Sequence, residues 1–454
     1  MPLRVRTRSR GPSALSGSSG PSESGFLTRA LRILWAPLLL LTAVPLLLTE
    51  AGSSSIHDMV GVASLDVIYL SHAAFGLVHG RTPYLPNFMT YPDQHLTFLY
   101  PPLTLLLLLP PVLAGSQYPI AFSVEILILS LAGSWVLGAT TRRFGISTPV
   151  GLATAVLLLA AGPALLTRVD AIQGLLVAGA AIALARRRNM WAVALVTLAV
   201  LVKETALLAA VPVGMWCLFP DPREPLPLRS RLHQVGIGLL PALLIFGLVA
   251  AWSHGAEVTS ALASVHRGLE IESVPATLAI LLRHFSQATP YLGRLASWQL
   301  RTPLAGLLAG LFTAVGALVI IVASVAFARQ HRQPATAISL CVAVGLCTTP
   351  VFAPQYLLGL LPVLVVAACL EFSAQRGAQL IVLGLLTALL TQAEFPIFFD
   401  SVVKLQPLGV SLLLARNLLL VATAVLLTRP TDTLSSIGPA PGAPSPAATA
   451  QLES

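Results

Sequence analysis

Long apolar runs, separated by short loops that carry arginine, dominate this sequence. They lie at about 33–49, 101–115, 118–140, 150–167, 171–185, 190–202, 206–219, 235–252, 303–328, 335–352, 356–372, 379–395 and 410–428. About 20 consecutive apolar residues cross a bilayer as a helix, which satisfies its own backbone N–H and C=O groups where no water can. The expected fold is an all-α polytopic membrane protein with about ten to thirteen transmembrane helices. Composition excludes a soluble globule: charged residues are 10% of the chain, against roughly 25% in an average soluble protein. The net charge of +9 is not a nucleic-acid footprint. Arg4, Arg6, Arg8, Arg10, Arg29 and Arg32 precede the first run and others cluster in loops between runs, the positive-inside pattern. The bilayer is the expected partner, with no nucleic acid.

Residues 1–30 are expected to be a disordered basic cytoplasmic tail, from their Arg/Ser/Gly/Pro content. Residues 31–428 form the transmembrane domain, and 429–454 a second disordered cytoplasmic tail. With the first arginines inside, Glu50 emerges on the outer face of the cell membrane. Two long polar stretches, about 50–100 and 253–302, fall on that outer side, while Arg223, Arg229, Arg231, Arg329, Arg332 and Arg429 point inward. The middle admits two topologies. If 101–140 makes two spans, Arg142 and Arg143 land outside. If it makes one net crossing, Arg186, Arg187 and Arg188 fall inside and 190–219 becomes two half-helices. The four cysteines (Cys217, Cys341, Cys347, Cys369) lie inside apolar runs without paired spacing and are expected as small core hydrophobes. No metal-ligand spacing and no cofactor motif is present.

Polar residues concentrate in the two outer stretches. Seven of the nine histidines lie there (His57, His72, His79, His95, His254, His266, His284), with Asp58, Asp66, Asp93, Glu257, Glu270 and Glu272. A transporter concentrates its polar groups within helices near mid-membrane. Clustering on one side points instead to an active site at the outer surface. Asp66, within Ser64-Leu-Asp-Val-Ile-Tyr-Leu-Ser-His72, sits in a short amphipathic stretch as a cap or as a partly desolvated carboxylate, a better base there than in water. Phe98-Leu-Tyr-Pro-Pro-Leu103 opens the next helix, with Pro suited to a first turn and Tyr100 at the level of an aromatic belt. Lys203 and Glu204 interrupt some thirty apolar residues, and intramembrane charges are functional candidates by default. Arg168 and Asp170 read as a structural pair at a helix end. Arg416 lies deep in the last run, with Glu394 and Asp400 as candidate partners. In His266-Arg-Gly-Leu-Glu-Ile-Glu-Ser273, a helix would set His266 and Arg267 on the face of Glu270, and Gly268 permits close backbone approach.

The order of these segments resembles the GT-C superfamily of polytopic glycosyltransferases, in particular the polyprenyl-phosphate-mannose-dependent mannosyltransferases of glycosyltransferase family 87. The matching segments are one span, an outer stretch with Asp66-Val-Ile-Tyr69, then Gly80-Arg-Thr-Pro-Tyr84, and Tyr100-Pro-Pro-Leu103 opening a second span. Arg168-Val-Asp170, Val202-Lys-Glu-Thr-Ala-Leu-Leu208, His266 to Ser273, Pro354-Gln-Tyr-Leu-Leu-Gly-Leu-Leu-Pro362 and Arg416-Asn417 follow. Similar members tend to carry Ser and Trp where this chain has Ala353 and Gly359. The resemblance implies a GT-C-type bundle that moves a sugar, mannose first, from a polyprenyl-phosphate donor to a glycolipid or glycan hydroxyl at the outer face, with inversion. It implies Asp66 as general base. Such a step also needs cations on the departing phosphate: Arg267, Lys203 and Arg81. His266, Glu270, Glu272, Tyr100, Gln355 and Tyr356 are the candidate substrate-binding residues. Two alternatives stay open: a polyprenyl-phosphate arabinofuranose donor, and a non-enzymatic lipid or sugar transporter.

Overall fold

The computed structural model describes residues 28–39, 54–85, 88–91, 94–96, 98–143, 149–223, 225–263, 267–283, 287–293 and 297–429. The expected tails lie outside these residues apart from 28–30, which begin a helix, and Arg429; His266 lies outside them too. The described chain is mostly helical, beginning with α1 (28–39), α2 (Ser54–Val78), α3 (Pro102–Leu108), α4 (Tyr118–Arg142), α5 (Val150–Ala160), α6 (Pro163–Leu166), α7 (Asp170–Ala185), α8 (Asn189–Val202) and α9 (Leu207–Leu218). There follow α10 (Leu228–Ser253), α11 (Ala256–Ala263), α12 (Val274–Leu281), α13 (Ala305–Gln330), α14 (Pro334–Thr348), α15 (Leu357–Leu370), α16 (Ala374–Gln392), α17 (Phe399–Val403) and α18 (Pro407–Thr428). The protein is an all-α polytopic membrane protein. Among the described residues, five helical segments are long and apolar enough to cross a bilayer: Pro110–Arg142, Leu228–Ser253, Ala305–Gln330, Ala374–Ile397 and Pro407–Thr428. Shorter apolar helices pack among them.

The two polar stretches carry structure of their own. The first holds α2 and an antiparallel hairpin, β1 (Met89–Tyr91) with β2 (Gln94–Leu96). The second holds α11, α12 and the hairpin β3 (Thr289–Leu292) with β4 (Trp298–Arg301), in which Tyr291 faces Gln299. Tyr69, Phe88, Phe98 and Tyr100 pack ring against ring beneath the first stretch, at 5.2–6.4 Å between centroids.

Contacts between helix ends give the bundle two chemically distinct poles. Arg186, at the end of α7, donates through Nη2 to the Thr140 carbonyl at the end of α4 (3.0 Å). Arg187 faces Asp221 (3.6 Å), Trp216 meets His331 at 5.1 Å between ring centroids, and Arg329 lies over Phe219 at 6.0 Å. Glu371 accepts from the Ala335 (2.9 Å) and Thr336 (2.7 Å) N–H groups at the start of α14. The termini bearing Arg142, Arg143, Arg186, Arg187, Arg188, Arg223, Arg329 and Arg332 therefore share one end. Of the two topologies the sequence leaves open, this is the one with 190–219 as two half-helices. The break falls at Lys203, whose backbone is extended (φ −154°, ψ 131°), at the pole opposite the arginines. Small residues let the helices close up: a Cβ on Gly174 in α7 would lie 2.3 Å from the Leu358 carbonyl in α15.

Candidate active site

Five segments meet at the pole away from the arginines: α2 at Asp66, the start of α7 at Arg168–Asp170, the α8–α9 break at Lys203–Glu204, the 267–273 segment, and 350–356 ahead of α15. The 267–273 segment is not helical: it runs strand-like to Glu270 and then turns, with Ser273 N–H donating to Glu270 O (3.0 Å). Leu300 N–H donates to Leu269 O (2.8 Å) and Ile271 N–H to Trp298 O (3.1 Å), so it adds a strand-like edge to the β3–β4 hairpin. The hairpin supplies backbone partners that a local helix would otherwise provide. Gly268 enables this, since a Cβ there would meet Gln299 Oε1 at 2.4 Å. The expected shared helix face is corrected accordingly, although Arg267 Nη2 still reaches Glu270 Oε1 at 2.8 Å. Glu270 N–H donates to Pro350 O (2.9 Å), which ties this segment to the one before α15.

The cations of this end are held by neighbours rather than by solvent. Lys203 Nζ sits 4.0 Å from the Tyr100 ring centroid, 5.6 Å from that of Tyr356 and 3.6 Å from Glu204 Oε1. Tyr100 is thus a buried cation–π platform and not part of an aromatic belt. Arg267 also hydrogen-bonds the Tyr356 hydroxyl. Arg168 forms an ion pair with Asp66, not with Asp170 as the sequence suggests, because its side chain turns across to α2. Asp66 remains about one-third exposed (34%) while Arg168 is buried. Beneath them, Arg416 Nη2 donates to the Glu272 carbonyl (2.9 Å) and to Glu394 Oε1 (3.1 Å). Asn417 Nδ2 donates to Thr277 Oγ1 (2.6 Å). Glu394 is the partner of Arg416; Asp400 instead faces Lys404 (2.7 Å).

Burial sets the electrostatics. It pushes the Glu270 carboxyl up to about 7 against the opposing pull of Arg267 and Lys203. Burial also raises Glu272 well above the carboxylate range, reinforced by the Glu394 charge. It lowers the Arg168 guanidinium to about 10, although Asp170 pulls it back up. These are the shifts expected when ionisable groups leave water around a polar cluster.

The structure brings together Asp66, Lys203, Arg267, Glu270, Glu272, Tyr100 and Tyr356, with Gln355 buried beside them. It does not bring Arg81, which is exposed in the loop after α2 and pairs with none of the site's acids among the described residues. That loop is set by the end of α2, where Arg81 N–H donates back to Gly76 O (2.9 Å). Ser273, next to Glu272, is spent on helix α12: its Oγ accepts from Ala276 N–H (3.2 Å) and donates to Glu270 O (2.8 Å). Arg168 and Asp170, which the sequence pairs with each other, both lie at this pole, Arg168 on Asp66. Their signal was two opposite charges at the mouth of a span. No group of three or more His, Cys, Asp or Glu side chains placed to hold a metal occurs among the described residues. No family model and no curated protein matches the chain.

Proposed function

We propose that this protein is an integral-membrane glycosyltransferase that moves a sugar, mannose first, from a polyprenyl-phosphate donor to a hydroxyl of a glycolipid or glycan at the outer face of the cell membrane. The observation that carries this reading is the meeting of one rim carboxylate, Asp66, with the buried cations Arg168 and Lys203 and the partly buried Arg267 at the pole opposite the basic loops. A prenyl phosphate is an anionic group at the bilayer surface, and cations in a dry setting stabilise it as it departs.

In the proposed step the acceptor oxygen attacks the anomeric carbon through an oxocarbenium-like state as the bond to the phosphate oxygen breaks. Asp66 takes the hydroxyl proton, and the polyprenyl phosphate leaves with the electron pair. Attack from the opposite face inverts the configuration, turning a β-linked donor into an α-glycoside. Arg168 holds Asp66 in place, and Lys203 and Arg267 face the phosphate. The Tyr100 ring fixes the Lys203 ammonium from below.

Asp66→Asn keeps the shape and removes the base. Transfer from radiolabelled polyprenyl-phosphate mannose in membranes is expected to fall about 10²–10⁴-fold, the usual contribution of a positioned base. Undiminished transfer would remove Asp66 from this role. Offering the arabinose donor in parallel identifies the sugar.

A further inference from the structure

One carboxylate at this pole has no part in the step just described. Asp170 opens α7, is fully buried, and its two oxygens have no side-chain hydrogen-bond partner, the donor beside them being its own backbone N–H. A helix N-terminus favours an anion, yet a buried carboxylate remains costly unless further donors meet its oxygens. The charges that act on it are those of Lys203 and Arg168, from the α8–α9 break and its own segment, with Glu204 opposing them. No ion pair joins it to either cation among the described residues.

The unmatched atoms at this pole come in both kinds. Arg168 Nε and Nη1 and Arg267 Nε are buried donors without acceptors. Asp170 Oδ1 and Oδ2, Glu204 Oε2 and Glu272 Oε1 are buried acceptors without side-chain donors. A bare phosphate answers only the cations; a neutral sugar's hydroxyls donate to the carboxylates and accept from the cations, but bring no negative charge to set against them. A single molecule with hydroxyl donors next to an anionic group answers both, which is the chemistry of a glycosyl phosphate headgroup. A carboxylate with no side-chain partner on either oxygen accepts from two neighbouring hydroxyls at once.

We propose that Asp170 binds the sugar of the donor, accepting hydrogen bonds from two adjacent ring hydroxyls while Lys203 and Arg267 hold the phosphate. This rests on the glycosyl-transfer reading and assigns Asp170 the recognition of the sugar rather than of the lipid.

The experiment compares two ligands on the full-length protein in lipid nanodiscs: polyprenyl phosphate and polyprenyl-phosphate mannose. In Asp170→Asn the affinity for the mannosyl lipid is expected to drop about tenfold or more, as when hydrogen bonds to a charged group are lost, with the bare lipid bound as before. Equal losses for both lipids, the result for a carboxylate that only holds structural water, would overturn the assignment, as would no loss for either. Should the variant fail to fold, donors lacking single ring hydroxyls are titrated onto the wild type. Weakening confined to two adjacent positions supports the assignment, and uniform affinity across the deoxy donors overturns it. Wild-type transfer, measured alongside, separates the two readings. A protein that prefers the mannosyl lipid but moves no sugar sinks the transferase reading alone. One that transfers sugar while Asp170→Asn keeps its full preference sinks the Asp170 assignment alone.

Discussion

Glu270 is the residue at which charge and function meet most directly, because its carboxyl, raised to about 7 by burial, changes state near neutral pH. The groups facing it are Arg267, Lys203 and Glu272. Below neutral pH Glu270 is protonated and Arg267 is available to a phosphate. Above it the carboxylate neutralises Arg267 at 2.8 Å and competes with the ligand. Donor affinity is therefore expected to fall, about tenfold for a charge–charge effect of this kind, as pH rises through about 7, and Glu270→Gln should flatten the titration. An affinity that rises across the same interval would contradict the arrangement. The linkage to stability has the same sign: a carboxyl with a raised folded value favours the fold at low pH, and that contribution is lost as pH climbs through 7. Lys203 and Glu204 were legible in the sequence because a charge inside an apolar run has few bland places to go. Arg168 was not, because its partner Asp66 lies about a hundred residues away, and Arg81 misled because loop geometry alone decides where an exposed guanidinium points.

Helix-to-helix distance controls where Arg168 and Asp170 stand relative to Tyr356. The start of α7 lies against the start of α15 because Gly174 leaves no side chain between them; an added Cβ would be 2.3 Å from the Leu358 carbonyl and 3.1 Å from Gly359 Cα. Backbone cannot yield as a side chain can, so Gly174→Val should cost about 1–3 kcal/mol by overpacking and abolish donor binding by spreading the segments that form the site. Gly214 in α9 has nothing within 4 Å of an added Cβ, and Gly214→Ala should be neutral or gain about 0.5–1 kcal/mol from helix propensity. Thermal unfolding in mild detergent compares the two, and similar melting points would refute the packing argument. Most helices were legible as apolar runs, several opened by Pro at the first turn, as at Pro102, Pro334 and Pro407. The 267–273 segment was not, since the backbone partners that make it strand-like, Trp298 and Leu300, lie some thirty residues on and leave no local trace.

At the scale of the whole molecule, charge is sorted along the bundle axis. One pole gathers the arginine-bearing ends of α4, α7 and α13 and the α9–α10 loop, and the other gathers Asp66, Lys203, Arg267 and the paired hairpin segments. By the positive-inside rule the first pole is expected in the cytoplasm, and the candidate site on the opposite side of the membrane. Cysteine accessibility tests this directly, because Cys217, Cys341 and Cys347 are buried and Cys369 is only partly exposed, so native labelling is expected to be weak. Lys404 lies in the loop between α17 and α18, close to the site's pole, with its side chain 60% exposed beside Asp400. Arg223 is exposed in the loop that joins α9 to α10 at the arginine pole. A membrane-impermeant maleimide applied to intact cells should modify Lys404→Cys and spare Arg223→Cys until the cells are opened. The reverse pattern would turn the molecule over and place the Asp66–Arg168 cluster in the cytoplasm, where an acceptor outside the cell is beyond its reach.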